Sequence, residues 1–317
     1  MKRIQIAPGI EMTDIAMGES RRGYPDCEQS AFEVMDRYVE LGGNTFDSAR
    51  LYSDGAADRA LGKWIKSRGL RDSLTVVTKG SHPDRKNMFA SRLTRRDIEG
   101  DLDESLAFMG LAYSDLHLLH RDDVRIPVEE IMPSLDALVR AGKTRAVGVS
   151  NWTAARIIEA NQFALENGLE PIRCCQLHFS LAQTTAAATG DITHVPMNDV
   201  EFSWYRESRL PVMCFGAHGR GWFAARARGE EPKEKPRRYY DMFPENHRRL
   251  ARLLKTAETL GVSPAAVATA YVRDRGLNAV VLSSFSSRKQ LEEAWEAETF
   301  RLTRAQLRYL ETGVSAC

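Results

Sequence analysis

Short apolar runs alternate with amphipathic stretches about eight times along the chain. Each apolar run has the length of a strand buried on both faces, and each amphipathic stretch is long enough for a crossover helix. This alternation predicts parallel strands joined by helices. The predicted strands are residues 12–17, 45–47, 74–78, 116–119, 146–149, 174–178, 212–215 and 279–282.

Eight such units predict a (β/α)8 barrel of the TIM type, formed as a single domain over residues 1–317. Helix-start signals support the units. Asp26 with Gln29 has the spacing of a capping box, and Thr94 and Ser263 are predicted N-cap residues.

Two segments are too long for ordinary connections between a strand and a helix, namely residues 183–198 and 224–245. Long βα loops in a compact domain often act as lids over a site, although a solvated insertion is an equal alternative. His218 and Trp222 are expected to line the mouth of the barrel.

The charge balance argues against nucleic acid and membranes as partners, because 44 Lys and Arg face 43 Asp and Glu. A small-molecule substrate is expected instead. The five cysteines are scattered without a CxxC pair, which indicates reduced thiols and a cytoplasmic protein. The first residues lack the apolar core of a signal peptide, and no run approaches the length of a membrane span.

Polar side chains follow the apolar runs of six predicted strands. They are Asp47, Lys79, His120, Ser150 with Asn151, Gln176, and Ser283 with Ser284. The carboxyl ends of parallel barrel strands converge on one rim, where active sites of such barrels lie. His117 and His120 are three residues apart on one strand and point to opposite faces, so they cannot share an ion and no metal is predicted.

The stretches GGNTFDSARLYSDGAADRALGKWI, VVTKG, YSDLHLLHRDD and RAVGVSNW together resemble the aldo-keto reductase family. An aspartate and a tyrosine lie five residues apart after a GxNxFD strand, and a lysine and a histidine end the next two strands. The resemblance implies an NAD(P)H-dependent oxidoreductase that reduces an aldehyde or ketone to an alcohol by hydride transfer, with sugars and other small carbonyl compounds as candidate substrates.

The resemblance also implies the catalytic roles. Tyr52 is the general acid that protonates the carbonyl oxygen, and Lys79 is the cation that makes this phenol a better proton donor and acceptor. Asp47 keeps Lys79 charged and in place, whereas His120 hydrogen-bonds the substrate carbonyl and stabilises its developing charge.

No GxGxxG sequence follows any predicted strand, so a Rossmann-type cofactor site is excluded. By resemblance, Ser150, Asn151 and Gln176 hold the nicotinamide carboxamide. Phe215 stacks on the nicotinamide ring where the family commonly has tyrosine. Gly216 begins the diphosphate-binding stretch, in which Gly216-Ala217-His218 departs from the usual serine, proline and leucine.

A serine-rich turn after the last predicted strand is expected to bind phosphate at a helix start. The predicted cofactor-binding residues there are Ser284, Ser286, Ser287, Arg288 and Gln290. Ser287 and Gln290 have capping-box spacing, and the forked guanidinium of Arg288 suits a 2′-phosphate. NADP(H) is therefore the predicted cofactor, with NAD(H) as the alternative.

Two other functions remain open. In a Schiff-base lyase, Lys79 would attack a carbonyl as the neutral amine, although the neighbouring Asp47 favours the charged form. A cofactor-binding regulatory subunit of the same fold would need no turnover. The complete set of four catalytic residues favours the reductase over both.

Overall fold

Eight parallel strands close into a barrel in the computed structural model, which describes residues 2–19, 28–84 and 86–314. The strands are β1 (Arg3–Ala7), β2 (Ile10–Thr13), β3 (Ile15–Gly18), β4 (Thr45–Asp47), β5 (Thr75–Gly80), β6 (Leu116–Leu119), β7 (Val147–Ser150), β8 (Cys175–His178), β9 (Val212–Phe215) and β10 (Ala279–Ser283). The helices are α1 (Glu28–Glu40), α2 (Ala56–Arg68), α3 (Arg95–Met109), α4 (Val128–Arg140), α5 (Ala154–Asn167), α6 (Ala186–Thr189), α7 (Asp199–Ser208), α8 (Trp222–Ala227), α9 (Glu234–Tyr240), α10 (Pro244–Leu260), α11 (Pro264–Arg273), α12 (Arg288–Trp295) and α13 (Arg304–Thr312).

The barrel strands follow one another in chain order from β3 to β10, and β10 pairs with both β9 and β3. Each barrel pair is parallel, with registers such as Lys79 opposite Leu118 and Ser150 opposite Gln176. The predicted (β/α)8 barrel is therefore confirmed. No described helix is both long and apolar enough to span a bilayer.

The first predicted strand is wrong, because residues 12–17 belong to two strands that meet at Asp14. β2 pairs antiparallel with β1, whereas β3 enters the barrel. The Asp14 N–H donates to Lys2 O at 3.1 Å, and Thr13 Oγ1 donates to Ile15 O at 2.9 Å, so the backbone turns there. The seven other predicted strands lie within two residues of the observed ones.

The hairpin of β1 and β2 closes the end of the barrel away from the polar rim. Its apolar side chains pack into one cluster with inward residues of the barrel strands. The hairpin contributes Ile4, Ile6, Ile10 and Met12, and the barrel contributes Ala16, Val77, Leu116, Leu118, Ala146, Cys174, Met213, Val280 and Leu282. The barrel interior is thus a packed apolar core below the rim.

Helix starts agree with the caps that the structure describes. The Thr94 side chain accepts the Asp97 N–H, and the Ser263 side chain accepts the Ala266 N–H, as predicted for N-cap residues. The predicted capping box at Asp26 lies outside the described residues. At α12 the Ser287 hydroxyl accepts the Gln290 N–H, but the Gln290 side chain accepts the Ser286 N–H instead of the N-cap N–H, so that box is only half formed.

The two long segments are not loops throughout, which corrects their prediction. The segment 183–198 contains α6, and the segment 224–245 contains most of α8 and all of α9. The two segments also bond to each other, since Arg238 Nη2 donates to Thr189 O at 2.8 Å. Their polar composition concealed short helices that use local caps and tertiary contacts instead of a continuous apolar stripe.

Candidate active site

A buried ion pair occupies the rim of the barrel. Lys79 Nζ lies 2.5 Å from Asp47 Oδ2, and both side chains are almost fully inaccessible to solvent. Burial lowers the pKa of Lys79, but the charges of Asp47 and the Tyr52 phenol, with their hydrogen bonds, outweigh burial and hold that pKa above its usual value. Lys79 is therefore an ammonium at neutral pH.

Tyr52 lies beside this ammonium, on a turn that the barrel backbone fixes. Lys79 hydrogen-bonds the Tyr52 side chain, and its Nζ is 5.1 Å from the centre of the ring. The Arg50 N–H donates to Lys79 O at 3.0 Å, which ties the turn to β5. Gly55 follows with a φ of +79°, and a Cβ there would lie 2.4 Å from the Phe108 ring, so the turn requires glycine.

His120 completes the group at the carboxyl end of β6. Its ring lies edge to face against Tyr52, with centroids 5.7 Å apart. The structure therefore brings together all four predicted catalytic residues, which we call the tetrad: Asp47, Tyr52, Lys79 and His120. His82 was not predicted, yet its ring lies 4.8 Å from the His120 ring and lines a small cavity with Lys79. Its position in a loop without a pattern gave no signal.

His117 occupies the opposite face of the same strand, as its spacing from His120 predicted. It is fully buried, and its Nδ1 lies 2.9 Å from Thr78 Oγ1. Burial and the charge of Lys79 lower the pKa of His117 to about 3. This histidine is a neutral structural residue.

The three side chains predicted to hold a carboxamide lie on one arc of the rim. Gln176 Nε2 donates to Asp47 Oδ1 at 2.9 Å, which links this arc to the tetrad. Asn151 adopts a φ of +60°, and its Nδ2 donates to Ser150 Oγ at 2.9 Å. The Asn151 Oδ1 accepts the Val195 N–H at 3.3 Å, so the segment 183–198 is attached here.

Phe215 ends β9 on the same rim and is packed by two histidines. The ring centres of His178 and His194 lie 5.5 and 5.4 Å from that of Phe215. His178 Nε2 lies 2.9 Å from Tyr240 Oη, and burial holds the pKa of His178 well below its usual value. Gly216 has a φ of +88°, and a Cβ there would approach His178 Nε2 to 2.5 Å.

The serine-rich turn lies at the start of α12. Four of its predicted residues, Ser284, Ser286, Ser287 and Arg288, are exposed, as is Gln290. Lys289 is 85% exposed and lies 3.8 Å from Glu293, so it faces solvent along the helix.

The expectation that Trp222 lines the mouth is wrong. It is fully buried, and its Nε1 donates to Asp241 Oδ1 at 2.6 Å. His218 bonds Thr269 Oγ1 at 2.8 Å. Arg220 between them was missed, and its buried Nε has no hydrogen-bond partner among the described residues. The surrounding Gly219-Arg220-Gly221 matches no cofactor-binding motif, so no sequence pattern indicates this cation.

The rim therefore carries a carboxylate, a buried ammonium, a phenol and an imidazole, each in contact with the next. A family model described as the aldo/keto reductase family matches residues 15–313, which contain every one of these groups. The chain belongs to the aldo/keto reductase family. The predicted family and the predicted oxidoreductase class are confirmed.

The names of relatives in this family give different substrates. A norsolorinic acid reductase of Emericella nidulans is 32% identical over 77% of this chain and 62% of its own length. A putative aryl-alcohol dehydrogenase of Saccharomyces cerevisiae is 27% identical over 98% of this chain and 83% of its own length. Among solved structures, an aldo/keto reductase from Klebsiella pneumoniae in complex with NADP and acetate covers 98% of this chain and 94% of its own, with a TM-score of 0.73 and 21% identity.

In chemical terms, the tetrad of this aldo/keto reductase family member can hold and release a proton at one phenol oxygen. The Lys79 ammonium hydrogen-bonds this phenol, and the adjacent imidazole of His120 can hydrogen-bond an oxygen that approaches the phenol.

Proposed function

We propose that the chain is an NADP(H)-dependent reductase of aromatic aldehydes or ketones, with Tyr52 as the proton donor. One observation carries the proposal: the buried ammonium of Lys79, held 2.5 Å from Asp47, hydrogen-bonds the Tyr52 phenol. When bound, the reduced nicotinamide supplies a hydride to the carbonyl carbon. The protein supplies the proton, the orientation and the electrostatic stabilisation.

Lys79 makes Tyr52 effective as a proton donor. A free tyrosine titrates near pH 10, so it holds its proton too tightly to exchange it rapidly at neutral pH. A neighbouring ammonium stabilises the phenolate that remains after the proton has moved to the carbonyl oxygen. In the reverse direction the same phenolate accepts the proton of the alcohol.

His120 is proposed to orient the substrate. Its ring lies against Tyr52 at 5.7 Å between centroids, so a carbonyl oxygen at the phenol is also within reach of the imidazole. A hydrogen bond from His120 stabilises negative charge that develops on this oxygen.

The residues of the rim fit a dinucleotide phosphate. The buried Nε of Arg220 is without a partner among the described residues and would be satisfied by an anion. The exposed start of α12 offers a helix N-terminus and the forked cation of Arg288 for a second anion. The NADP in the name of the Klebsiella pneumoniae structure agrees with the proposed cofactor.

The aromatic substrate class is proposed from the aryl-alcohol dehydrogenase among the relatives. The same barrel rim would also take other carbonyl compounds, because the tetrad contacts only the reacting group.

The Schiff-base alternative is not favoured, because a nucleophilic lysine must lose its proton. The Asp47 carboxylate and the Tyr52 phenol together hold the pKa of Lys79 above its usual value. A regulatory subunit would bind the cofactor without turnover, which the following experiment distinguishes.

The test compares Tyr52→Phe with Tyr113→Phe, a half-buried tyrosine at the other end of the barrel. We expect NADPH oxidation with benzaldehyde to fall by about 10²–10⁴ in kcat for Tyr52→Phe and to remain unchanged for Tyr113→Phe. Both variants should bind NADPH as the native chain does, measured by fluorescence titration. Binding without any turnover in the native chain across a panel of aldehydes would refute the reductase and favour the regulatory subunit.

A further inference from the structure

A second, wider cavity of about 370 Å³ shares Arg92 with the small cavity at Lys79 and His120, and we call it the side cavity. Three strand-end loops and part of the segment 183–198 enclose it. Its lining residues are Ser81, Pro83, Met88, Phe89, Ser91, Arg92, Leu93, Arg121, Asp122, Asp123, Val124, Arg125, Asn151, Thr153, Ile192, Thr193 and Val195. Its volume falls within the range of about 300–1,000 Å³ that is usual for small-molecule sites.

The position of the side cavity relates it to the proposed chemistry. Ser81 lies two residues after Lys79, and Arg121 directly follows His120. Asn151, proposed to hold the nicotinamide carboxamide, forms another part of the wall. A group attached to a carbonyl carbon at the tetrad therefore has this cavity as its neighbour.

Apolar side chains stand exposed at the mouth of the side cavity. Phe89, Val124 and Ile192 are 68%, 78% and 68% exposed, and they come from three different connections. They are three of the eight exposed large apolar side chains among the described residues. Apolar groups that converge from separate loops on one concavity mark a binding site for an apolar ligand.

The charged side chains of the wall lie in ion pairs. Asp122 lies 3.4 Å from Arg156, and its Oδ1 accepts no hydrogen bond among the described residues. Arg125 lies 2.6 Å from Asp123, and Arg92 lies 2.6 Å from Asp101. The third lining arginine, Arg121, lies 3.1 Å from Asp191. A charged ligand would have to compete with these pairs, so the cavity favours an uncharged one.

Ser81 adds a buried hydroxyl to the wall of the side cavity. Ser81 is 1% exposed, has a φ of +60°, and its Oγ has no hydrogen-bond partner among the described residues. A buried hydroxyl without a partner costs free energy, which a ligand oxygen would recover.

We infer that the side cavity binds the non-reacting part of the carbonyl substrate and selects an uncharged, ring-bearing group with an oxygen substituent. This inference rests on the proposed reductase function. It assigns Phe89, Val124, Ile192 and Ser81 as residues that determine specificity.

The test uses matched valine variants. Val124→Asp places a charge at the mouth of the side cavity, and Val200→Asp places one at a 74% exposed valine on α7, outside the cavity lining. We measure kcat/KM for 2-naphthaldehyde and for butanal, which is too small to fill the cavity. The kcat/KM for 2-naphthaldehyde divided by that for butanal should fall about tenfold or more for Val124→Asp and stay unchanged for Val200→Asp.

Ser81→Ala gives a second, independent readout. It should lower kcat/KM for 6-hydroxy-2-naphthaldehyde several-fold while leaving 2-naphthaldehyde within twofold. Unchanged ratios in both Val124→Asp and Ser81→Ala would overturn the inference while the reductase function stands.

A binding measurement separates this failure from failure of the proposed function. Calorimetric titration with 2-naphthalenemethanol needs no turnover and should show about tenfold weaker binding for Val124→Asp than for Val200→Asp. If no aldehyde is reduced, the proposed function fails, and this affinity difference alone supports the cavity as a binding site. Equal affinities would refute it.

Discussion

Replacing Asp47 with asparagine tests the central electrostatic claim most directly. At the observed 2.5 Å from Lys79, an effective dielectric constant of about 20 gives an attraction of about 6–7 kcal/mol. In Asp47→Asn this attraction is lost and burial is opposed only by Tyr52, so the pKa of Lys79 should fall well below its native value.

This fall predicts a specific pH profile. In the native chain the Lys79 ammonium persists throughout pH 6–9, because its pKa lies above its usual value. In Asp47→Asn the lowered pKa lets Lys79 lose its proton as the pH rises, so fewer molecules carry the ammonium at pH 8 than at pH 6. We expect kcat/KM at pH 8 to fall by about 10²-fold, with part of this loss recovered towards pH 6.

The assay is aldehyde-dependent NADPH oxidation from pH 6 to pH 8.5, with cofactor affinity measured at each pH. Asp115→Asn is the matched control, because Asp115 is 1% exposed and pairs with Arg71 and Arg145 outside the tetrad. Both variants lose a buried carboxylate, but only Asp47→Asn should show the new fall in kcat/KM with rising pH. Parallel profiles for Asp47→Asn and the native chain would show that Asp47 does not maintain the charge of Lys79.

Three further predictions concern stability and the cofactor. The pKa of His117 is about 3 in the folded protein and near 6.5 in the unfolded chain. The contribution of His117 to the unfolding free energy should therefore be complete above pH 6.5 and fall by about 2 kcal/mol by pH 5. Urea unfolding at pH 7 and pH 5 should show a smaller loss of stability in His117→Asn than in the native chain. Gly62→Ala should lower the unfolding free energy by about 1–3 kcal/mol, because a Cβ there would lie 2.0 Å from the Met109 backbone oxygen of α3. Gly100→Ala should raise the unfolding free energy by about 0.5–1 kcal/mol, because a Cβ there would meet open space. Equal urea midpoints for the two variants and the native chain would contradict both expectations. Arg288→Ala should weaken NADPH binding about tenfold or more and leave NADH unchanged, with Lys289→Ala as the solvent-facing control; equal losses for both nucleotides would place the 2′-phosphate elsewhere.

The barrel and its rim could be predicted because they depend on short-range patterns. Fully apolar strands show themselves as runs, and a polar residue at the end of a run marks the rim. A second rule links them: Val77 and Lys79 lie two residues apart, as do Leu118 and His120, and in each pair the first residue packs inside the barrel. Inward side chains recur every second residue, so the apolar layer predicts which rim residue points inward.

The failures of prediction have a common physical cause. The break between β2 and β3 at Asp14 depends on a hydrogen bond to Lys2 and on the pairing of β2 with β1. Neither contact alters the apolar run in the sequence, so the run does not reveal the break. The burial of Trp222 depends on Asp241, nineteen residues away. His82 reaches the tetrad only through the path of its loop. In each case a tertiary contact decides the outcome, and local patterns do not contain it.

We call the apolar cluster formed by the hairpin and the barrel strands the apolar plug. The apolar plug and the charged rim depend on each other. The layer that contains Val77 and Leu118 excludes water from directly below Lys79, which makes the ammonium costly and also makes its attraction to Asp47 strong. A wetter barrel would stabilise each charge separately and weaken the influence of Lys79 on Tyr52. The hairpin of β1 and β2 seals this layer from the opposite end, so it acts on the tetrad without contacting it. Substitutions that hydrate the plug should therefore reduce turnover before they abolish folding.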